Sequence, residues 1–181
     1  MGSKFSKKKE FKILVTGLDE SGKTKAIHLM KSMEDIETTP TIGYNLEVIF
    51  YKGNSFTIWD AGGQDKIRVL WKHYYQGLDG IMLFVDSSDK DRIEDAADEL
   101  RKMIAEEELE NCPFLIMANK QDLENALPPE EITKLLGMEQ IKGREWIVQG
   151  SSAITGQGLK EGFEWLANTL ISKRKNGKKT K

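Results

Sequence analysis

An apolar run, Phe11-Lys12-Ile13-Leu14-Val15-Thr16, leads into Gly17-Leu18-Asp19-Glu20-Ser21-Gly22-Lys23-Thr24, and a helix-like segment, Lys23 to Met33, follows. No other feature constrains the chain as strongly. The G-x-x-x-x-G-K-[ST] spacing between a strand and a helix lets backbone N–H groups wrap a polyphosphate, while the helix N-terminus adds partial positive charge. Lys23 is placed to reach the β- and γ-phosphates, and the Thr24 hydroxyl to ligate Mg²⁺. The loop implies a nucleoside triphosphate with magnesium and leaves the base and the reaction open.

Apolar runs near 11–16, 45–51, 55–60, 80–85, 113–118 and 145–149 alternate with helical segments. That alternation predicts an α/β fold, a single P-loop domain whose six-stranded, mostly parallel sheet carries helices on both faces. Only the turn-rich Lys52-Gly53-Asn54-Ser55 separates the second and third strands, so they form a hairpin and one strand runs antiparallel. Ile93, Ala96, Ala97, Leu100, Met103 and Ile104 recur at helical spacing, as do Leu159, Phe163, Leu166 and Leu170; both stripes read as core.

The 181 residues suit one domain with its own core, 11–172, flanked by an N-terminal segment 1–10 and a C-terminal tail 173–181. The net charge of −2 is uneven: the first segment carries +3 and the tail +6, which leaves −11 on the body. An acidic body is a poor nucleic-acid surface. The basic ends suit an anionic membrane, with solvated tails as the plainer alternative. No apolar run approaches a membrane span, and the charged start lacks a secretory signal, so the expected location is the cytosol and the cytoplasmic face of membranes. Cys112 is the single cysteine and reads as a packed residue; His28 and His73 are too far apart for a metal cluster.

Later motifs choose the base. Asp60 ends a strand in Trp59-Asp60-Ala61-Gly62-Gly63-Gln64, where a carboxylate can hold Mg²⁺ through water and Gly63 can offer its N–H to a γ-phosphate. Gln64 is then placed to orient an attacking water, and Thr41 supplies a second hydroxyl for the metal shell of Thr24, Thr41 and Asp60. In Asn119-Lys120-Gln121-Asp122 the Asp122 carboxylate matches two adjacent donors on guanine that adenine lacks. Asn119 and the Lys120 stem brace that loop; the Ala153 N–H suits guanine O6, with Ser152 steadying its own loop.

Taken in order, "GLDESGKT", "PTIGYN", "WDAGGQDKIRVLWKHYYQG", "VDSSD", "NKQD" and "GLKEGFEWL" resemble the Arf and Arf-like small GTPases from about Phe11 to Ile171. The resemblance implies a monomeric GTP/GDP switch that hydrolyses GTP with Gln64 and Lys23 as catalytic residues, slowly unless an activating protein supplies an arginine. It further implies a nucleotide-exchange factor, effectors that recognise Tyr44, Trp59 and Tyr74, and action at membranes in trafficking or signalling. A guanine-nucleotide-dependent scaffold with negligible turnover is the alternative; a nucleotide kinase is disfavoured because "NKQD" would have no task there. Glu20 and Ser21 replace the family's small residues, adding a carboxylate near an anion, while Lys25 replaces a common Thr near the α-phosphate and Ile154 alters packing beside the base. "MGSKFS" suits N-myristoylation at Gly2 once Met1 is removed, with Lys7, Lys8, Lys9 and the basic tail as the second membrane signal.

Overall fold

Strand β1 (Glu10–Gly17) occupies the middle of a seven-stranded sheet ordered β2-β3-β4-β1-β5-β6-β7. The others are β2 (Glu37–Pro40), β3 (Leu46–Tyr51), β4 (Asn54–Asp60), β5 (Gly80–Asp86), β6 (Phe114–Asn119) and β7 (Trp146–Gly150). The computed structural model describes residues 9–33, 37–40, 46–62 and 71–177, so Gly2, Thr41, Tyr44, Gly63 and Gln64 lie outside the described residues. β1 pairs in parallel with β4 and β5, β5 with β6, and β6 with β7; β3 runs antiparallel to both its neighbours. The expected six strands are therefore present with one of opposite sense, and the short polar edge strand β2 is an addition. Its Glu-Thr-Thr-Pro sequence has no apolar alternation to reveal it.

The β3–β4 hairpin turns at Lys52-Gly53, whose φ values of 47° and 71° are both positive, as a tight two-residue turn with the twist of its strands requires. Ile13, Leu14 and Val15 are all fully buried, because helices cover both faces of β1. Ile13 and Val15 belong to one core with helix α1 (Lys23–Met30) and helix α4 (Leu159–Asn176). Leu14 belongs to the other, with helix α2 (Ile93–Ile104) and helix α3 (Pro129–Leu135). The predicted stripes of α2 and α4 fill these cores. Helix α3 lies beyond the sequence expectation; its signals are Pro129 at the helix start and Glu130 and Glu131 in the first turn, where they favour the helix dipole.

Helix α4 is held by aromatic packing and, at its far end, by charge. The Phe163 ring meets Tyr51 at 5.8 Å and Phe56 at 5.4 Å between centroids, both edge-on. The helix continues to Asn176, so Lys173 and Arg174, grouped with the tail on sequence, sit in its last turns. Lys173 pairs with Glu145 at 3.0 Å. Arg174 donates to the Glu10 carbonyl at 2.7 Å, pairs with Asp79 at 2.9 Å and lies 3.9 Å over the Phe11 ring. Cys112 is buried, and burial pushes its thiol up to about 11, which makes it an inert packing residue at neutral pH.

Phe163→Ala removes the ring on which both Tyr51 and Phe56 pack, and a loss of about 3–5 kcal/mol is expected. A denaturant midpoint within error of the parent chain would show that α4 does not depend on this cluster.

Candidate functional site

Among the described residues, those singled out for nucleotide and metal, Gly17 to Lys25, Asp60, Asn119, Lys120, Asp122, Ser152 and Ala153, gather along one edge of the sheet, at the carboxyl ends of β1, β4 and β6 and in the loop after β7. Ligands collect at that edge in open α/β sheets because helix N-termini and loop amides converge there.

The phosphate loop is shaped by two glycines with different tasks. Gly17 has φ of 140°, and a Cβ there would sit 2.3 Å from the Phe84 carbonyl oxygen of β5. Gly22 has φ of 90°, and its Cβ would fall 2.4 Å from Asn119 Nδ2. Any side chain at Gly22 would thus push the phosphate loop away from the base loop. Gly22 also precedes α1, which begins without a side-chain cap and without an acid in its first turn. The first N–H groups of α1 are consequently suited to an anion.

Lys23 is buried, and its ammonium donates to the Gly17 carbonyl at 3.0 Å and the Leu18 carbonyl at 2.8 Å. Ser21 is buried too and donates to the Leu18 carbonyl at 2.8 Å. Glu20 stands exposed in the left-handed region at φ of 61°, with Asp19 half-buried beside it, and Lys25 is exposed on α1.

Asn119 joins three segments. Its Nδ2 donates to the Ser21 carbonyl at 2.8 Å, and its Oδ1 accepts from Ser151 Oγ at 3.2 Å and the Ala153 amide at 3.1 Å. The carboxamide is fully buried, so each of these bonds would be costly to break. Lys120, at φ of 66°, pairs with Asp86 at 2.6 Å; the Lys120 ammonium and the Ser88 hydroxyl and amide hold the Asp86 carboxyl below the usual range against its burial. Asp122 is exposed and accepts from Ser152 Oγ at 2.6 Å; the Ser152 oxygen also accepts the Ile154 and Thr155 amides, each at 3.1 Å. Ser152 therefore fixes both its own loop and the carboxylate. Ile154 is 60% exposed at this edge. Asp86, Ser151 and Arg92, which bonds Asp19, were not singled out in the sequence; "VDSSD" was the signal for the first.

For magnesium, the described part of the expected shell is one hydrogen-bonded pair, Thr24 Oγ1 donating to Asp60 Oδ2 at 2.7 Å. Burial raises the Asp60 pKa, while the Thr24 bond and nearby Lys23 act to lower it. A hydroxyl and a desolvated carboxylate side by side form a hard oxygen donor set, which suits Mg²⁺. Trp59 and Tyr74 meet edge-to-face at 5.4 Å, Tyr74 is 38% exposed, and the Trp59 indole N–H finds no acceptor among the described residues.

The chain matches the family model of the Arf, ADP-ribosylation factor, family over residues 1–170. It is also similar to a solved structure of the Arl6 BBS3 small GTPase from Trypanosoma brucei with the bound nucleotide analogue GppNp. The two share 33% identity and superpose with a TM-score of 0.80, over 90% of this chain and 98% of that one.

An acid whose pKa is raised on folding costs stability once pH exceeds its unfolded value, because the unfolded state then releases its proton more readily. Asp60→Asn is accordingly expected to raise the melting temperature of metal-free, nucleotide-free chain at pH 7, the gain shrinking as pH falls toward the ordinary carboxyl range. A lower melting temperature at pH 7, or a gain that grows on acidification, would contradict this account of Asp60.

Proposed function

The chain belongs to the Arf, ADP-ribosylation factor, family, and from that premise we propose that it is a membrane-associated molecular switch that binds GTP and GDP and hydrolyses GTP. The observation that carries this reading is the single buried carboxamide of Asn119, bonded at once to the phosphate-loop carbonyl of Ser21 and to the Ala153 loop. It ties the loop that would cradle a polyphosphate to the segments that would read guanine, which supports the reading of one shared nucleotide site.

In this reading Lys23 leaves its loop carbonyls for the β- and γ-phosphates, and its burial strengthens the attraction between them. Asp122, steadied by Ser152, accepts the two guanine donors, and the Ala153 amide is shared with guanine O6. Thr24, Thr41 and Asp60 would hold magnesium, whose contribution is to neutralise charge on the β- and γ-phosphate oxygens. Gln64 orients the water that attacks the γ-phosphorus; the bond from that phosphorus to the β–γ bridging oxygen breaks, and GDP and phosphate leave. Gly63 and Thr41 follow the γ-phosphate, so the nearby Tyr44, Trp59 and Tyr74 present an aromatic surface to effectors only in one nucleotide state. An exchange factor and an activating protein that supplies an arginine set the pace of the cycle, and the switch itself is a monomer.

The domain runs from β1 at Glu10 through the end of α4 at Asn176, a little beyond the 11–172 expected from sequence, with an N-terminal segment acylated at Gly2 and a basic C-terminal tail. Lys9, Lys52 and Lys175 line an open cleft of about 560 Å³ between the hairpin turn, the start of β1 and the end of α4, which adds positive charge beside both ends. A single acyl chain holds a membrane weakly, and these lysines act as the second signal. The exposed Glu20 beside the phosphates favours one competing reading, a nucleotide-dependent scaffold that does not turn over.

Purified chain loaded with labelled GTP and magnesium against excess ATP is expected to retain GTP and to release phosphate slowly, with Gln64→Leu slowing release by about a hundredfold. Retention without release in the parent chain would leave the scaffold; displacement by ATP would refute the role of Asp122. Separately, changing Lys175, Lys178, Lys179 and Lys181 to Gln, with Lys173 and Arg174 kept for their structural pairs, is expected to weaken binding to phosphatidylserine vesicles by about tenfold or more. Unchanged binding would remove the tail from membrane attachment.

A further inference from the structure

The phosphate loop of this chain carries two adjacent carboxylates, Asp19 and Glu20, at a place meant for an anion. Carboxylates there repel a polyphosphate unless something compensates them. The compensating group comes from a distant part of the chain, the short turn Lys90–Arg92 that opens into helix α2.

We propose that Arg92 is a positioning residue for the bound nucleotide, one that holds the phosphate loop in shape and offsets the charge of Asp19 and Glu20. This rests on the guanine-nucleotide reading above. Its guanidinium has three engagements: Nη1 pairs with Asp19 Oδ1 at 2.7 Å, Nη2 reaches the Asp19 carbonyl at 3.4 Å, and Nε pairs with Asp89 Oδ2 at 2.7 Å. The Glu20 carboxylate lies 4.0 Å from Nη2. Asp89 thus orients the fork, and the fork grips both side chain and backbone of the loop. A planar guanidinium can satisfy several acceptors at fixed angles, whereas an ammonium would meet them only as a point charge.

The grip has a firm base. Ile93, the next residue, is buried in the core with Ala96 and Ala97. Leu18, Asp19, Ser21, Asp86, Asp89 and Arg92 line a small, partly open cleft at this junction. Because Arg92 bonds both the side chain and the carbonyl of Asp19, displacing Asp19 means breaking its hold on the guanidinium as well. The same segment reaches the base loop through Asp86 and Lys120, so residues 86–92 brace the phosphate and base loops from one side.

The test is the dissociation rate of fluorescent GDP and a fluorescent GTP analogue, with saturating magnesium, at about 0.05 M and about 0.5 M salt, concentrations that bracket weak and strong screening. Arg92→Ala is expected to accelerate release of both nucleotides about tenfold at low salt, as the loss of charged hydrogen bonds predicts. The gap should narrow at high salt, and Glu20→Gln in the Arg92→Ala background should recover much of it. Arg92→Lys, which keeps the charge without the fork, should fall between the parent and Arg92→Ala. Release within twofold of the parent would overturn the proposal, and so would an acceleration indifferent to both salt and Glu20→Gln, since that would mark a purely structural loss. If the parent chain retains neither nucleotide, the functional reading itself fails, and the inference with it.

Discussion

A buried carboxamide bonded through both its nitrogen and its oxygen is the constraint on which the carboxyl edge of the sheet depends. Asn119 ends β6, and from there it ties the phosphate loop to the segment after β7. Because the group is fully buried, it has no water to fall back on, and any drift of one loop exposes an unpaired donor or acceptor in the interior. Gly22 enforces the same closeness sterically, since even a methyl there would overlap Asn119. The glycine loop after β1 and the loops after β6 and β7 are thereby tied to one another.

Around that joint, charge is held in internal pairs that a ligand can exchange for its own. Lys23 donates to loop carbonyls, and Thr24 donates to Asp60. These partners keep the polar groups satisfied, yet a carbonyl is a weaker match for an ammonium than a phosphate oxygen is, and a hydroxyl is a weaker match for a carboxylate than a divalent cation is. Asp86 and Arg92 serve the frame itself: each ties a loop to the segment between β5 and α2 by an ion pair.

The far end of the molecule uses similar pairs to close the fold. Arg174 spans the start of β1 and Asp79, and stacks on Phe11, so the last turns of α4 are part of the domain although their composition is that of a solvated tail. Basic residues on α4 therefore divide by partner: Lys173 and Arg174 are engaged within the fold, while Lys175 is exposed beside the hairpin cleft.

The strands and long helices were legible in the sequence because burial on one or two faces imposes a period, and β1, α2 and α4 carry it clearly. β2 and α3 were not, since one is short and polar and the other is seven residues introduced by prolines. By itself the sequence determined the fold class, the family and the types of residue at the phosphate and base loops, for each rests on local spacing. Only the tertiary structure decided how those loops are joined: Asn119 meets Ser21 across 98 residues and Arg92 meets Asp19 across 73. Such contacts leave no local period in the chain; they exist because the parallel sheet brings the carboxyl ends of distant strands to a single edge, where each buried polar group must find its partner.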